Sequence, residues 1–336
     1  MVDRAMGDKL ARLVRTHEFR LLLATLALAT GLSIATDTFL TAQNLFDLLT
    51  ANAFAGILAA GLLVVLVAGG IDISFTATAS VAQYLAMTAA NAWGLDWASV
   101  FAIGILAGAA CGAINAALIE GLRIPGIIVT IATLNVFYGL LVFTTGGRYI
   151  YALPDWFAQG IWWFEYVDAE QIPYGLNLQI LLLVLAFAAT AWLLNRTGVG
   201  RRIRALGGNR EAARRLGFPV FGLNLLAYGY MGMMAGIASL AQAQLAQSVA
   251  PTVLVGRELD VLAAVVLGGA SLNGGIGSVT GTILGLTLLA IMQNGLVLAG
   301  VSSYWSPFFT GLVILLSVST AALEHRRRPA SVGAAA

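Results

Sequence analysis

The 336-residue sequence holds one cysteine, one lysine and two histidines, and only 10% of its residues are charged. With Cys111 alone no intrachain disulfide forms, and its place inside an apolar run reads as packing. His17 and His325 flank the first and last apolar runs, which leaves no His/Cys cluster for a transition metal; no metal site is expected. The single lysine is Lys9, and no G-x-x-x-x-G-K-[ST] sequence occurs, so the chain carries no P-loop nucleotide site of its own. An intramembrane enzyme built on a Ser nucleophile with a base, or on H-E-x-x-H, finds no residues to use. A soluble fold is excluded because the few charges cluster at the ends of apolar runs and cannot cover a water-facing surface. The net charge of +2 hides a strong sidedness and says nothing of nucleic acid, which is not an expected partner.

What is abundant is apolar sequence: 59% of residues are hydrophobic and the mean hydropathy is +0.87. Several runs exceed the roughly 20 residues that cross about 30 Å of hydrocarbon. The expected fold is an all-α polytopic membrane protein, one transmembrane domain over 1–336. Apolar windows predict about ten helices, near 19–37, 46–68, 76–92, 98–119, 126–145, 177–195, 223–246, 259–272, 277–298 and 304–323. Arg4, Lys9, Arg12, Arg15 and Arg20 precede the first run as in a signal peptide, but no small-residue cleavage site ends it, so it reads as an uncleaved span. Alternating the spans with the N-terminus inside places every Lys and Arg but Arg148 and Arg257 on the cytoplasmic side. Segments 1–18, 196–222 and 324–336 are then cytoplasmic, and six of the seven tryptophans fall on the outer side. The outer loop at about 148–176 combines Trp162, Trp163, Tyr149, Tyr151, Tyr166 and Tyr174 with Asp155, Glu165, Asp168 and Glu170. It reads as a loop lying partly along the membrane surface, or as a contact surface for an external partner.

Two glycine-rich segments interrupt the apolar body: Gly69-Gly70-Ile71-Asp72-Ile73-Ser74, and the stretch from Gly268-Gly269 through Gly274-Gly275 to Ser278. Consecutive glycines weaken a helix, and non-helical backbone at membrane depth is tolerated only inside protein or beside a wet cavity. Each reads as a break marking a translocation path, or as a tight cytoplasmic turn. Asp72 is an intramembrane carboxylate and so a functional candidate, or the cap of the helix after Ser74. The phrase Gly-Gly-Ile at 69–71 and 274–276, each before a Ser/Thr-containing helix, suggests a duplicated unit. Gly104, Gly108 and Gly112, four apart, indicate close helix packing. Lone polar residues in spans face a bundle interior, which makes Asn52, Asn115, Asn135, Ser271 and Asn294 candidate lining groups.

Seven arginines between Arg196 and Arg215 form a cytoplasmic island. Within it Asn209 is an N-cap, Glu211 suits a helix start, and Gly217 with Pro219 is a stop signal. The short helix so defined over 207–217 has an apolar face of Ala212, Ala213 and Leu216 among arginines, suited to a groove on another protein. Being short, it needs a brace. A topogenic basic loop is the other reading.

The phrases Gly69-Gly-Ile-Asp-Ile-Ser74, Ile124-Pro-Gly-Ile-Ile-Val-Thr-Ile-Ala-Thr133, Thr145-Gly-Gly147, Gly200 to Ala213, Leu259 to Leu272 and Gly274 to Thr282 resemble, in order and spacing, the permease subunits of ribose-type ABC importers. After Ser74 the chain departs, reading Phe-Thr-Ala-Thr-Ala-Ser80 where many relatives carry glycine and valine. The resemblance implies an ABC importer permease fold in the bacterial inner membrane. It implies a second permease chain, identical or paralogous, ATPase subunits using ATP and Mg, and a periplasmic sugar-binding protein. It also implies that Gly207, Gly208, Asn209, Arg210, Glu211, Ala212, Ala213, Leu216 and Gly217 form the helix coupled to the ATPase. The solute would be a ribose-like sugar, another pentose or hexose, or autoinducer-2. The alternatives are a nucleoside ABC permease and an ion-coupled secondary transporter, and for the latter the spans lack paired ionisable groups.

Overall fold

The computed structural model describes residues 16–167, 173–313 and 315. Residues 1–15 and 324–336 of the expected termini, with His325 and Arg326 to Arg328, lie outside these residues, as do Asp168, Glu170 and residues 314 and 316–323 of the last expected span. The helices are α1 (His17–Ala35), α2 (Ala42–Ala51), α3 (Ala53–Val67), α4 (Phe75–Trp93), α5 (Trp97–Leu122), α6 (Gly126–Thr145) and the single turn α7 (Asp155–Ala158). After a two-stranded hairpin follow α8 (Leu178–Arg196), α9 (Gly198–Gly208), α10 (Arg210–Arg215), α11 (Val220–Ala246), α12 (Glu258–Leu267) and α13 (Val279–Leu298), and the chain is helical again over 306–313.

Among the described residues six helices are long and apolar enough to cross a membrane: α1, α5, α6, α8, α11 and α13. A seventh span arises if α2 and α3, bent by 50° at Asn52, act as one. The protein is therefore a mostly helical, multi-pass membrane protein. Two expected spans fall short for different reasons. Helix α4 has the length, but Thr76, Thr78, Ser80 and Gln83 dilute its hydropathy and are all buried against neighbouring helices. Helix α12 has only 10 residues, about half a crossing at 1.5 Å per residue.

Helix α3 is the axis of the bundle. Every residue from Ala53 to Val67 except Ala55 is buried, and α8, α11, α12 and α13 surround it, as a helix apolar on all sides requires. Beside it α5 and α11 cross almost backbone to backbone. A methyl on Gly108 would sit 2.0 Å from the Gly232 carbonyl oxygen, and one on Gly232 2.0 Å from that of Gly108. A methyl on Gly236 would likewise sit 2.2 Å from the Gly104 carbonyl oxygen, and one on Gly112 2.1 Å from that of Tyr228. The four-residue spacing seen in the sequence is thus a packing seam.

The two strands are a departure from the all-helical expectation. β1 (Trp162–Val167) and β2 (Pro173–Asn177) pair antiparallel, with Tyr166 opposite Tyr174 and an irregularity between Trp162 and Phe164. The aromatic-rich run from Trp162 to Val167 favours extended pairing over the interfacial loop expected here. A bridge between Ile150 and Val249 joins the preceding loop to the end of α11. That helix has 27 residues, about 40 Å at 1.5 Å per residue, so the hairpin and the arginine-bearing helices lie at opposite ends of the bundle.

Candidate functional site

Both breaks end a helix by one device. After α3 the Gly69 N–H donates to Leu66 O at 2.9 Å and the Gly70 N–H to Val65 O at 3.0 Å. After α12 the Gly269 N–H donates to Val266 O at 2.9 Å and the Ala270 N–H to Val265 O at 3.2 Å. Gly69 (φ +85) and Gly269 (φ +89) supply the left-handed residue this closure needs. The two helix ends therefore match at Gly69 and Gly269, by a closure that also ends α10 at Gly217. The echo of Gly-Gly-Ile at 274–276 marks something else, a further turn in which Gly274 N–H donates to Ser271 O at 3.1 Å. The two Gly-Gly-Ile strings thus occupy different local structures, a helix end at 69–71 and a turn at 274–276.

The breaks meet each other at Gly207, near the end of α9. The Gly275 N–H donates to Val67 O at 3.0 Å. A methyl at Gly207 would lie 2.0 Å from that same carbonyl and 2.6 Å from Gly275 N, and one at Gly274 2.6 Å from both Gly69 Cα and Gly207 O. Three segments remote in sequence thus touch through bare backbone. Arg204 adds a charged strut, donating from Nη1 to Gly277 O at 3.0 Å and from Nη2 to Asn195 Oδ1 at 2.9 Å. His17 Nε2 lies 2.8 Å from Leu267 O, tying α1 to the second break.

Past the first break Asp72 is buried, and its Oδ1 accepts from both the Ser74 N–H and the Ser74 hydroxyl at 2.7 Å. This is the helix-start role considered for it, bracing the turn into α4. Asn115 Nδ2 donates to Ser74 Oγ at 2.7 Å, while its buried Oδ1 has no hydrogen-bond partner. Thr130 accepts from the Ile73 N–H at 3.2 Å and donates to Ile71 O at 3.3 Å. Tyr228 faces the same segment, its hydroxyl 3.5 Å from Ile71 O. Neither Thr130 nor Tyr228 was legible as part of the break, although each is a polar group within an apolar run. Glu258 was missed as well. It is buried at the start of α12, takes the Gly256 N–H on both carboxylate oxygens at 3.0 Å, and accepts a hydrogen bond from the Thr76 hydroxyl.

Of the five expected lining groups only Asn115 joins a break in this way. Asn52 bonds back to Leu48 O at the α2/α3 bend, and exposed Asn135 bonds to Ile131 O of its own helix. Asn294 forms a reciprocal amide pair with Asn44 at 2.9 and 3.2 Å. Ser271 lies in the second break itself, where its hydroxyl accepts the Asn273 N–H.

The arginine island folds as two helices. Asn209 caps α10, accepting the Ala212 N–H at 2.9 Å, and the Phe218 N–H closes it on Ala213 O. Gly207 and Gly208 belong to α9 rather than to the short helix. Ala213 is buried against the chain, so the outward face is Ala212 and Leu216 with Arg214 and Arg215. The brace is Glu120 on α5. Its carboxylate takes Arg210 Nη2 at 2.6 and 2.8 Å and also accepts from Asn224. Glu211 pairs with Arg214 and Arg215 along the exposed side, contacts worth about 0.3–0.5 kcal/mol each.

A family model described as branched-chain amino acid transport system / permease component matches residues 44–318. The chain is 33% identical over 306 residues to the ribose import permease protein of Escherichia coli K12, covering 90% of this chain and 92% of that one. It is 34% identical over 304 residues to the autoinducer 2 import system permease protein of Enterobacter sp. strain 638, covering 90% and 86%. To the ribose import permease protein of Bacillus subtilis it is 34% identical over 286 residues, covering 85% and 87%. No solved structure matches the chain.

Proposed function

Because the chain belongs to the branched-chain amino acid transport system / permease component family, we propose that it is the membrane subunit of an ATP-binding cassette importer for a monosaccharide or a related small polar solute. The observation that carries this reading is the junction at Gly207, where α9 meets both breaks backbone to backbone and Arg204 adds a side-chain bond to the second. Relatives that import ribose and autoinducer 2 support the solute class. In this reading the chain sits in the bacterial inner membrane with both termini cytoplasmic, and α4, α12 and the expected span at 304–323 bring the seven spans above to about ten. It pairs with a second permease chain, receives solute from a periplasmic binding protein, and is driven by separate ATPase subunits that hydrolyse ATP with Mg.

The helix α10 is the coupling helix of this proposal. Closure of the ATPase pair presses on Ala212 and Leu216. Because α10 is held by Glu120 and continues through Asn209 into α9, the displacement reaches Gly207 and from there both breaks. Asn115 Oδ1, the unsatisfied acceptor behind Ser74, is fully buried beside the first break, so a solute hydroxyl would reach it only after the break re-orients.

The test is co-purification. Glu211→Arg and Ala212→Trp each alter the exposed side of α10 without entering the core, so the chain is expected to insert normally. The ATPase subunit should then be lost and uptake fall at least tenfold. Full uptake with a stoichiometric ATPase in both variants rejects the coupling role, and a wild-type chain that purifies alone and follows an ion gradient without ATP rejects the importer itself.

A further inference from the structure

At the end of the bundle remote from the arginines lies a cavity of about 340 Å³, lined by α2, the loop after α7, the hairpin and the end of α11. Its wall has two kinds of residue. Three aromatic rings stand on it, Phe46, Trp162 and Tyr174, the first and last with ring centroids 6.1 Å apart. Beside them is a set of amides: Gln159, Asn177, Gln179, Gln244 and Gln247. Asn177, Gln179 and Gln244 are each buried to at least nine-tenths, an unusual place for three amides unless something satisfies them.

Their mutual bonds fix their orientation. Gln179 Nε2 donates to Gln244 Oε1 at 2.7 Å and lies 3.3 Å from Ala241 O. Asn177 Nδ2 donates to Thr50 Oγ1 at 2.8 Å while its Oδ1 caps α8 through the Ile180 N–H. Gln179 Oε1 accepts no hydrogen bond among the described residues, and Gln244 Nε2 reaches only Phe157 O, at 3.4 Å. An acceptor and a donor are therefore held side by side on the wall and incompletely used. Among the described residues Asp47 is the only charged group lining the cavity, and no Lys or Arg does.

We propose that this cavity is a receiving site on the permease itself for a neutral, ring-shaped polyol, a free monosaccharide. Amides donate to and accept from hydroxyls at once, and aromatic faces take the C–H face of a sugar ring. The volume, about 340 Å³, lies at the lower end of the roughly 300–1,000 Å³ usual for small-molecule sites, which suits one pentose or hexose. Phosphorylated sugars and other anions find no cation and meet Asp47. An amino acid, the solute class in the family description, would bury its carboxylate without a partner. The site deepens the importer reading and rests on it for the side of the membrane it faces; its ligand chemistry comes from the cavity alone.

The experiment uses the full chain with its co-purified ATPase in nanodiscs, titrated with D-ribose, D-xylose, D-glucose and L-leucine while tryptophan emission is followed. At least one sugar is expected to give a saturable change that Trp162→Phe abolishes, that Gln179→Leu moves to roughly tenfold higher concentration, and that leucine neither produces nor prevents. No saturable change with any of the three sugars overturns the proposal. So does a change that survives both substitutions, or equal competition by leucine. Retention of the ATPase by Gln179→Leu serves as the folding control. Loss of the ATPase from the wild-type chain sinks the importer reading whatever the titration gives, whereas a flat titration with the ATPase in place sinks this site alone.

Discussion

Gly207→Ala is expected to abolish solute uptake, and Gly208→Ala, one residue along the same helix, to leave it unchanged. Alanine suits a helix better than glycine by about 0.8–1 kcal/mol, so local propensity favours both substitutions and the difference between them is steric. At Gly208 an added methyl meets nothing within 4 Å. At Gly207 it meets the Val67 carbonyl oxygen at 2.0 Å and Gly275 N at 2.6 Å, where ordinary contact begins at 3.4 Å. Neither obstacle is the end of a flexible side chain. Relief requires α9 to retreat from both breaks by about 1.4 Å, the difference between those two distances, and to disturb the 3.0 Å bond from Gly275 to Val67. Overpacking of this kind costs about 1–3 kcal/mol and occasionally more. The larger consequence is the loss of contact between α9 and the two breaks. The measurement is uptake and ATPase activity side by side in proteoliposomes. Hydrolysis that continues in Gly207→Ala without transport is the expected signature of uncoupling, and equal transport by both variants would reject the junction as the coupling element.

Such a contrast between neighbours was not legible in the sequence, where Gly207 and Gly208 look alike. Apolar windows located the helices well, because burial in lipid and in the bundle demands the same residues. The caps of α10 were legible at Asn209 and Gly217 because capping is local chemistry. Orientation was not: Ala212 and Ala213 are adjacent and equally small, and only the packing of α10 against the chain turns Ala213 inward. Helix α4 was legible too, expected near 76–92 and found at Phe75–Trp93, although Thr76, Ser80 and Gln83 lower its hydropathy and bond inside the protein. The lining candidates show the same limit. An asparagine in a span needs a partner, but Asn135 finds it one turn back on its own helix, Asn294 on Asn44, and only Asn115 at a break.

The second large effect belongs to the crossing of α5 and α11, and there the expected loss is of the fold. Without a hydrophobic driving force in lipid, two helices hold together by van der Waals packing, which depends on how closely their backbones approach. Gly108 and Gly232 approach until each would place a methyl 2.0 Å from the other's carbonyl oxygen. The constraint is therefore reciprocal, and substitution on either side has the same result. Gly232→Ala wedges the pair apart along the whole seam, because Gly104 against Gly236 and Gly112 against Tyr228 lie on the same two rigid rods. Tyr228 would be carried with α11 away from Ile71, and Asn224 from Glu120, so the seam also sets the first break and the brace of α10. Gly229→Ala, on the same helix but facing open space, is the matched control and is expected to be neutral or slightly stabilising. Detergent-solubilised Gly232→Ala should show a melting temperature lowered by several degrees or more, with reduced yield of monodisperse chain. If Gly232→Ala melts with Gly229→Ala, the two helices can separate without cost and the seam does not organise the site.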